Sequence, residues 1–117
     1  MKLPKNKTDI YPFNRADDFK ANARATKKYT QLSSDDTLLL EGDSLEVIKS
    51  VKDSSIDLVL TDPPYHSTKK KNIYGDADFD EDKDFLDWID QYIDQFIRVL
   101  KPNGSMYLFC SSDMAPY

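Results

Sequence analysis

The chain predicts an α/β fold built on a parallel sheet, and three observations predict it. Short apolar runs of strand length occur at Thr37–Glu41, Ile56–Thr61 and Ser105–Cys110. Between them lie two segments whose apolar residues recur at helical spacing, one after Gly42-Asp43 and one over about 83–100. Each apolar run is followed by turn or acidic residues: Gly42-Asp43, Asp62-Pro63-Pro64-Tyr65 and Ser111-Ser112-Asp113. Alternating strands and helices of this kind form parallel sheets with right-handed crossovers. Ligands of such sheets bind outside the carboxyl ends of the strands.

The elements follow in order. Residues 1–36 read as a polar N-terminal extension, with a weak helix over Asp17–Lys28 and a loop at Ser33-Ser34-Asp35-Asp36. Thr37–Glu41 is a short strand closed by Gly42-Asp43. Ser44 is the expected N-cap of a helix carrying Leu45, Val47, Ile48 and Val51, with Glu46 in its first turn. Asp53-Ser54-Ser55 breaks that helix. Ile56–Thr61 is nearly continuous in apolar residues, as in a strand buried on both faces. A polar loop of about 17 residues follows Tyr65, and loops of that length are usually either functional or disordered. The second helix carries Phe85, Trp88, Ile89, Tyr92, Ile93, Phe96, Ile97 and Leu100 on its apolar side, which marks Trp88 and the other aromatics as core. Asp84, Asp87, Asp90 and Asp94 form a solvated face, and Arg98 and Lys101 complement the helix dipole at its end. Lys101-Pro102-Asn103-Gly104 stops the helix. Ser105–Cys110 is the third strand, with Cys110 expected to be buried in it.

Composition narrows the classes. With 117 residues, the chain makes one small domain at most. Its hydrophobic fraction is 39% and its charged fraction 32%, so the core is modest. No run approaches a membrane span, and the basic start, Met1–Lys7, lacks the apolar stretch of a secretory signal. A single cysteine excludes an internal disulfide framework and suits a reducing compartment, so a cytoplasmic location is expected, with no membrane contact. One His and one Cys leave no metal site of that type expected. The net charge of −5 is uneven: residues 1–36 hold eight basic and five acidic side chains, residues 37–117 eight and sixteen. Lys69-Lys70-Lys71 is a dense basic patch beside Asp62–Tyr65, and local charge governs contact with a phosphate backbone.

Asp62-Pro63-Pro64-Tyr65 carries the chemistry. The amino group of a nucleobase is a poor nucleophile because its lone pair is delocalised into the ring. Two acceptors that take its two N–H bonds favour a pyramidal nitrogen whose lone pair points at an electrophile. The Asp62 carboxylate and the Pro63 carbonyl are two such acceptors. Each proline holds the residue before it extended, so the pair is pre-organised, and orientation supplies most of the rate. Tyr65 offers a ring on which a flipped base stacks.

This tetrapeptide resembles the catalytic motif of the amino-group DNA methyltransferases, which modify adenine N6 or cytosine N4 with S-adenosylmethionine. The resemblance extends through Leu38–Asp43, Ser55–Tyr65 and Arg98–Gly104, covering about residues 37–113. It implies a partial Rossmann-like methyltransferase fold in which 37–117 is the N-terminal, catalytic-motif part of the domain. It also implies that Asp62, Pro63, Pro64 and Tyr65 are catalytic, that Asp43 and Asp62 contact the cofactor, and that the polymer partner is DNA, with Lys69, Lys70 and Lys71 on its backbone. Aspartate at the first motif position is more typical of adenine-N6 members. His66 and Asp113 are read as incidental loop residues.

The same family uses a glycine-rich segment to hold the cofactor's methionine moiety. This chain has only Gly42, Gly75 and Gly104. The resemblance therefore implies the front part of a permuted order, in which two later strands separate the strand at Leu38–Glu41 from the one at Ile56–Thr61. The sheet is then incomplete in this chain, which leaves three readings open: a truncated product, a piece of a longer protein, or one part of an enzyme that a complementary polypeptide or a homodimer partner completes. Two further readings stay open at this point: a non-catalytic remnant or half of a split enzyme, and an RNA or protein-amide methyltransferase.

Overall fold

The computed structural model describes residues 15–64 and 82–110. Helix α1 spans Arg15–Ala25, and a 3-10 turn follows over Lys27–Tyr29. Strand β1 is Thr30–Ser33, β2 is Leu38–Leu40, helix α2 is Ser44–Lys49 and β3 is Ile56–Thr61. Helix α3, Asp82–Val99, leads directly into β4, Leu100–Leu108.

Among the described residues the strands form two separate pairs. β3 and β4 are parallel, as the strand–helix–strand pattern requires, with Leu58 beside Ser105 and Thr61 beside Leu108. Leu38–Leu40 is not paired with β3 among the described residues, in keeping with the gap of two strands expected between them. β2 pairs antiparallel with β1, a strand that the polar sequence Thr30-Gln31-Leu32-Ser33 does not announce. The segment Ser34–Thr37 closes that hairpin, its Ser34 amide donating to the Thr37 carbonyl at 2.9 Å.

α3 forms because its apolar stripe has something to cover. Phe85, Ile89, Phe96 and Val99 are buried, Val99 to 1% exposure. Trp88, Leu86 and Ile93 pack part-buried against the Phe85–Ile89 cluster. Phe85, Trp88, Tyr92 and Phe96 stand as a file of tilted rings with centroids 5.8, 5.1 and 6.2 Å apart. Ile97 departs from the expected stripe and is 63% exposed.

The passage from α3 to β4 is tighter than the sequence suggests. Instead of stopping through Lys101–Gly104 before a new strand, the chain enters β4 at Leu100 and bulges: residues 101–104 lie opposite Asp57 alone, between the Ile56–Leu100 and Leu58–Ser105 pairs. A bulge is where a strand tolerates Pro102. At Gly104 a Cβ would come within 2.9 Å of Leu100 Cδ2, 3.0 Å of the Lys101 carbonyl oxygen and 3.2 Å of the Asp57 carbonyl oxygen, so any larger residue would crowd the bulge. Ser54, at φ 49°, turns the chain so that Ser54 and Ser55 donate to the Arg98 and Val99 carbonyls at 3.0 and 2.8 Å, satisfying the end of α3.

The expectation that Ile56–Thr61 is buried on both faces is corrected. Alternate residues of a strand face opposite ways, and α3 covers only one face. Leu58, Leu60, Tyr107 and Phe109 remain 51–65% exposed. Cys110 is exposed just beyond β4 and not buried within it, because nothing described covers the chain past Leu108. No described helix is long and apolar enough to cross a membrane.

Candidate active site

β3 delivers Asp62 to the carboxyl edge of the parallel pair. The last rung of the ladder is the Phe109 amide donating to the Thr61 carbonyl at 3.1 Å, so Asp62 leaves the sheet where β4 also ends. Asp62 is exposed, and Pro63 and Pro64 are half-buried in an extended segment with no regular structure. A carboxylate followed by a rigid diproline at a strand's carboxyl end is the arrangement anticipated from the sequence. Tyr65, His66, the long loop after it with Lys69, Lys70 and Lys71, and Ser111–Asp113 lie outside the described residues.

Asp43 has a defined local task. It, and not Ser44, is the N-cap of α2: its Oδ1 accepts from the Leu45 and Glu46 amides at 2.9 and 3.2 Å. Ser44 is the first helical residue, and its hydroxyl donates to the Tyr92 hydroxyl at 3.3 Å, tying α2 to α3. Gly42 before the cap has φ +156°, and a Cβ there would meet Val47 Cγ2 at 3.0 Å and the Tyr29 ring at 3.1 Å. Glycine at this corner is thus set by packing. No hydrogen bond among the described residues joins Asp43 to Asp62.

The supports of the site are less visible in the sequence. Arg98 lies in the last turn of α3, as the charge pattern suggests, and it has a second task. Its guanidinium reaches α2 and donates to the Ile48 and Val51 carbonyls, both at 2.8 Å, while pairing with Asp53 and donating through Nε to Gln95 Oε1 at 2.9 Å. A cation at α2's carboxyl end suits its dipole. Lys101, 6% exposed, sits between Asp57 at 3.3 Å and Asp18 at 3.5 Å, and so clamps the bulge that sets the β3–β4 register. A lysine after a helix gives no hint of such burial.

Two apolar recesses of about 350 Å³ flank β3. One runs along its unpaired edge, with Ile48 and Val51 of the α2 side and Phe96 and Val99 of α3 as walls. The other lies between α1, β2 and the start of β3. Among the described residues there is no cluster of three or more His, Cys, Asp or Glu side chains that could hold a metal.

Comparison with known proteins identifies the family. The family model described as DNA methylase, of the N6 and N4 type, matches residues 56–117, from the first residue of β3 through Asp62 and beyond β4. A Type II methyltransferase, M.BamHI of Bacillus amyloliquefaciens, is 34% identical over 105 residues, which is 90% of this chain and 22% of that protein. The DNA adenine methyltransferase YhdJ of Escherichia coli K12 is 33% identical over 88 residues, 75% of this chain and 29% of YhdJ. The Type II methyltransferase M.HpaI of Haemophilus parainfluenzae is 31% identical over 83 residues, 70% of this chain and 26% of that protein. The chain belongs to the amino-group DNA methyltransferase family. It spans between a fifth and a third of the length of these relatives.

Proposed function

We propose that this chain supplies the catalytic-motif part of an S-adenosylmethionine-dependent DNA methyltransferase with a Rossmann-like sheet, adenine N6 being favoured over cytosine N4. The observation that carries the reading is the placement of Asp62-Pro63-Pro64 at the carboxyl end of a parallel strand, inside the segment that matches the family. In this reading a base flips from the duplex. The Asp62 carboxylate and the Pro63 carbonyl accept its two amino N–H bonds, and Tyr65 stacks on the ring. The acceptors turn the nitrogen lone pair toward the methyl group, which S-adenosylmethionine supplies when bound. Lys69, Lys70 and Lys71 meet the phosphate backbone.

The described part of the site offers acceptors: the Asp62 carboxylate, the Pro63 carbonyl and Asp43. Such a set suits a ligand rich in N–H and O–H donors, as the adenosine portion of the cofactor is. Asp43 would face it through Oδ2, its Oδ1 being engaged by the α2 amides. YhdJ is described as an adenine methyltransferase, which supports the adenine preference.

The test is transfer of labelled methyl groups to adenine- or cytosine-containing duplexes by the complete enzyme. Asp62→Ala is expected to lower kcat by at least about 10²-fold with the fold intact. Activity near that of the unchanged enzyme would remove Asp62 from the mechanism, and incorporation confined to RNA or protein would replace DNA as substrate.

One observation favours a second reading, in which the chain acts with a complementary polypeptide or a second copy. β3 has a single strand partner among the described residues, and one face of the β3–β4 pair is apolar and exposed. Unpaired edges and open apolar faces favour association. Methyl transfer that appears only when a second polypeptide is added would establish it.

A further inference from the structure

Helix α1, with Thr26 directly after it, buries a polar file, and Phe19 is a half-buried apolar residue beside that file. Asp18, Asn22 and Thr26 fall four residues apart, hence on one helix face, and all three are buried, at 4%, 8% and 1% exposure. On a surface helix that face ordinarily carries Leu or Ile. Here the attachments are polar. The Asn22 side-chain amide donates to Ser55 Oγ at 3.0 Å, and its oxygen accepts the Lys52 amide at 2.8 Å. Asp18 pairs with Lys52 at 3.1 Å and Lys101 at 3.5 Å. Thr26 turns its hydroxyl back to the Asn22 carbonyl at 2.7 Å and so adds no bond outward. Phe19 of the helix itself, with Leu38, Leu40, Val51 and Ile56 beneath it, lines an apolar recess of about 350 Å³ in place of a packed interface.

Such attachments fix orientation well and free energy poorly. Each hydrogen bond contributes only about 1 kcal/mol net, since water replaces the partner on undocking, and a buried ion pair regains its desolvation cost when it separates. The groups left behind are also provided for. Lys101 keeps Asp57, and Ser55 keeps the Lys52 carbonyl at 2.7 Å. We infer that α1 is a strap that opens independently of the β3–α3–β4 unit and, in opening, exposes the apolar recess between β2 and β3. The strap does not depend on the methyl-transfer reading.

Amide hydrogen exchange on the chain, read by peptide mass spectrometry across a urea series, tests the inference. Peptides covering Arg15–Ala25 should exchange at least about tenfold faster than those covering Ile56–Thr61 and α3, with a shallower urea dependence, because local opening exposes little surface. Asn22→Ala should speed exchange in α1 by about a further tenfold and leave β3 and α3 unchanged. A common rate and urea slope for α1 and β3 overturns the strap. So does an Asn22→Ala variant whose α3 exchange rises as much as that of α1, or one that unfolds altogether.

Discussion

The β3–α3–β4 unit and the α1 segment are joined to the same chain by opposite chemistries. In the first, four buried apolar residues of one helix face, Phe85, Ile89, Phe96 and Val99, provide the core, and polar contacts only trim its ends. In the second, the buried face is Asp18, Asn22 and Thr26, and the apolar groups border a recess. Burial of a large apolar side chain is worth roughly 1.5–3 kcal/mol, whereas a satisfied hydrogen bond nets about 1. The difference teaches that equal burial does not mean equal cohesion. The motif Asp62-Pro63-Pro64 hangs from the apolar unit, where its position is secure, and the less cohesive region stands at the opposite, amino end of β3.

The strongest way to break this contrast is to attack the apolar side. Phe96→Ala removes a 9%-exposed ring that Tyr92 touches and should cost about 3 kcal/mol, lowering the denaturation midpoint of the whole chain. A loss below 1 kcal/mol would mean that α3 is not the anchor. The polar side is probed by Lys101→Met. Stranding a locked buried acid costs about 3–5 kcal/mol, but a releasable α1 carries Asp18 into water, so we expect a loss of only about 1 kcal/mol in global stability together with faster exchange in α1. Because Lys101 also holds Asp57 in the bulge, the readout is the exchange: a loss of about 3 kcal/mol with no faster exchange in α1 would show that α1 cannot leave.

Asp43 sharpens the comparison at the site. Asp43→Ala should cost about 1 kcal/mol through loss of the α2 cap, and Asp43→Asn should restore most of it. If Asp43→Asn also restores cofactor affinity in the complete enzyme, charge at Asp43 is not what the cofactor reads. The smallest effect is at the hairpin. Hydrogen bonds from the Ser34 and Thr37 hydroxyls, both 3.0 Å, hold the exposed Asp36 carboxyl below its ordinary pKa. A depressed carboxyl stabilises the fold above its unfolded pKa, and the benefit is lost as pH falls through the folded value. Side-chain carbon shifts of Asp36 in an acid titration should show a midpoint below that of an unstructured aspartate; an unshifted midpoint would mean that the turn is open in solution.

Much of the apolar unit was legible because its signals are periodic. Phe85, Ile89, Phe96 and Val99 repeat at helical spacing, and Ile56–Thr61 has the composition of an inner strand, so α3, β3 and the placement of Asp62 follow directly. The second region was legible only in part: the weak helix expected over Asp17–Lys28 forms as Arg15–Ala25. Hydrophobic periodicity cannot announce how such a helix docks through Asp18 and Asn22, nor a strand such as Thr30–Ser33 that is fixed by pairing with Leu38–Leu40. The covered state of Leu58, Leu60 and Cys110 was misread because apolar composition records what a strand suits, not what the described chain supplies. The cap was misplaced by one residue because Asp43 and Ser44 are both good caps, and only the amides of Leu45 and Glu46 decide between them. The burial of Lys101 depends on acids 44 and 83 positions earlier, Asp57 and Asp18, which no local pattern connects.

The Phe109 amide bonded to the Thr61 carbonyl has a practical consequence. It is the nearest ladder proton to Asp62, held by the last peptide before the chain turns into the motif. Its chemical shift follows the length of that single bond, so a nitrogen-edited proton spectrum of isotope-labelled protein would register any ligand that pulls on Asp62. That resonance is thus a built-in reporter of any displacement at Asp62, with no dye or tag placed beside it.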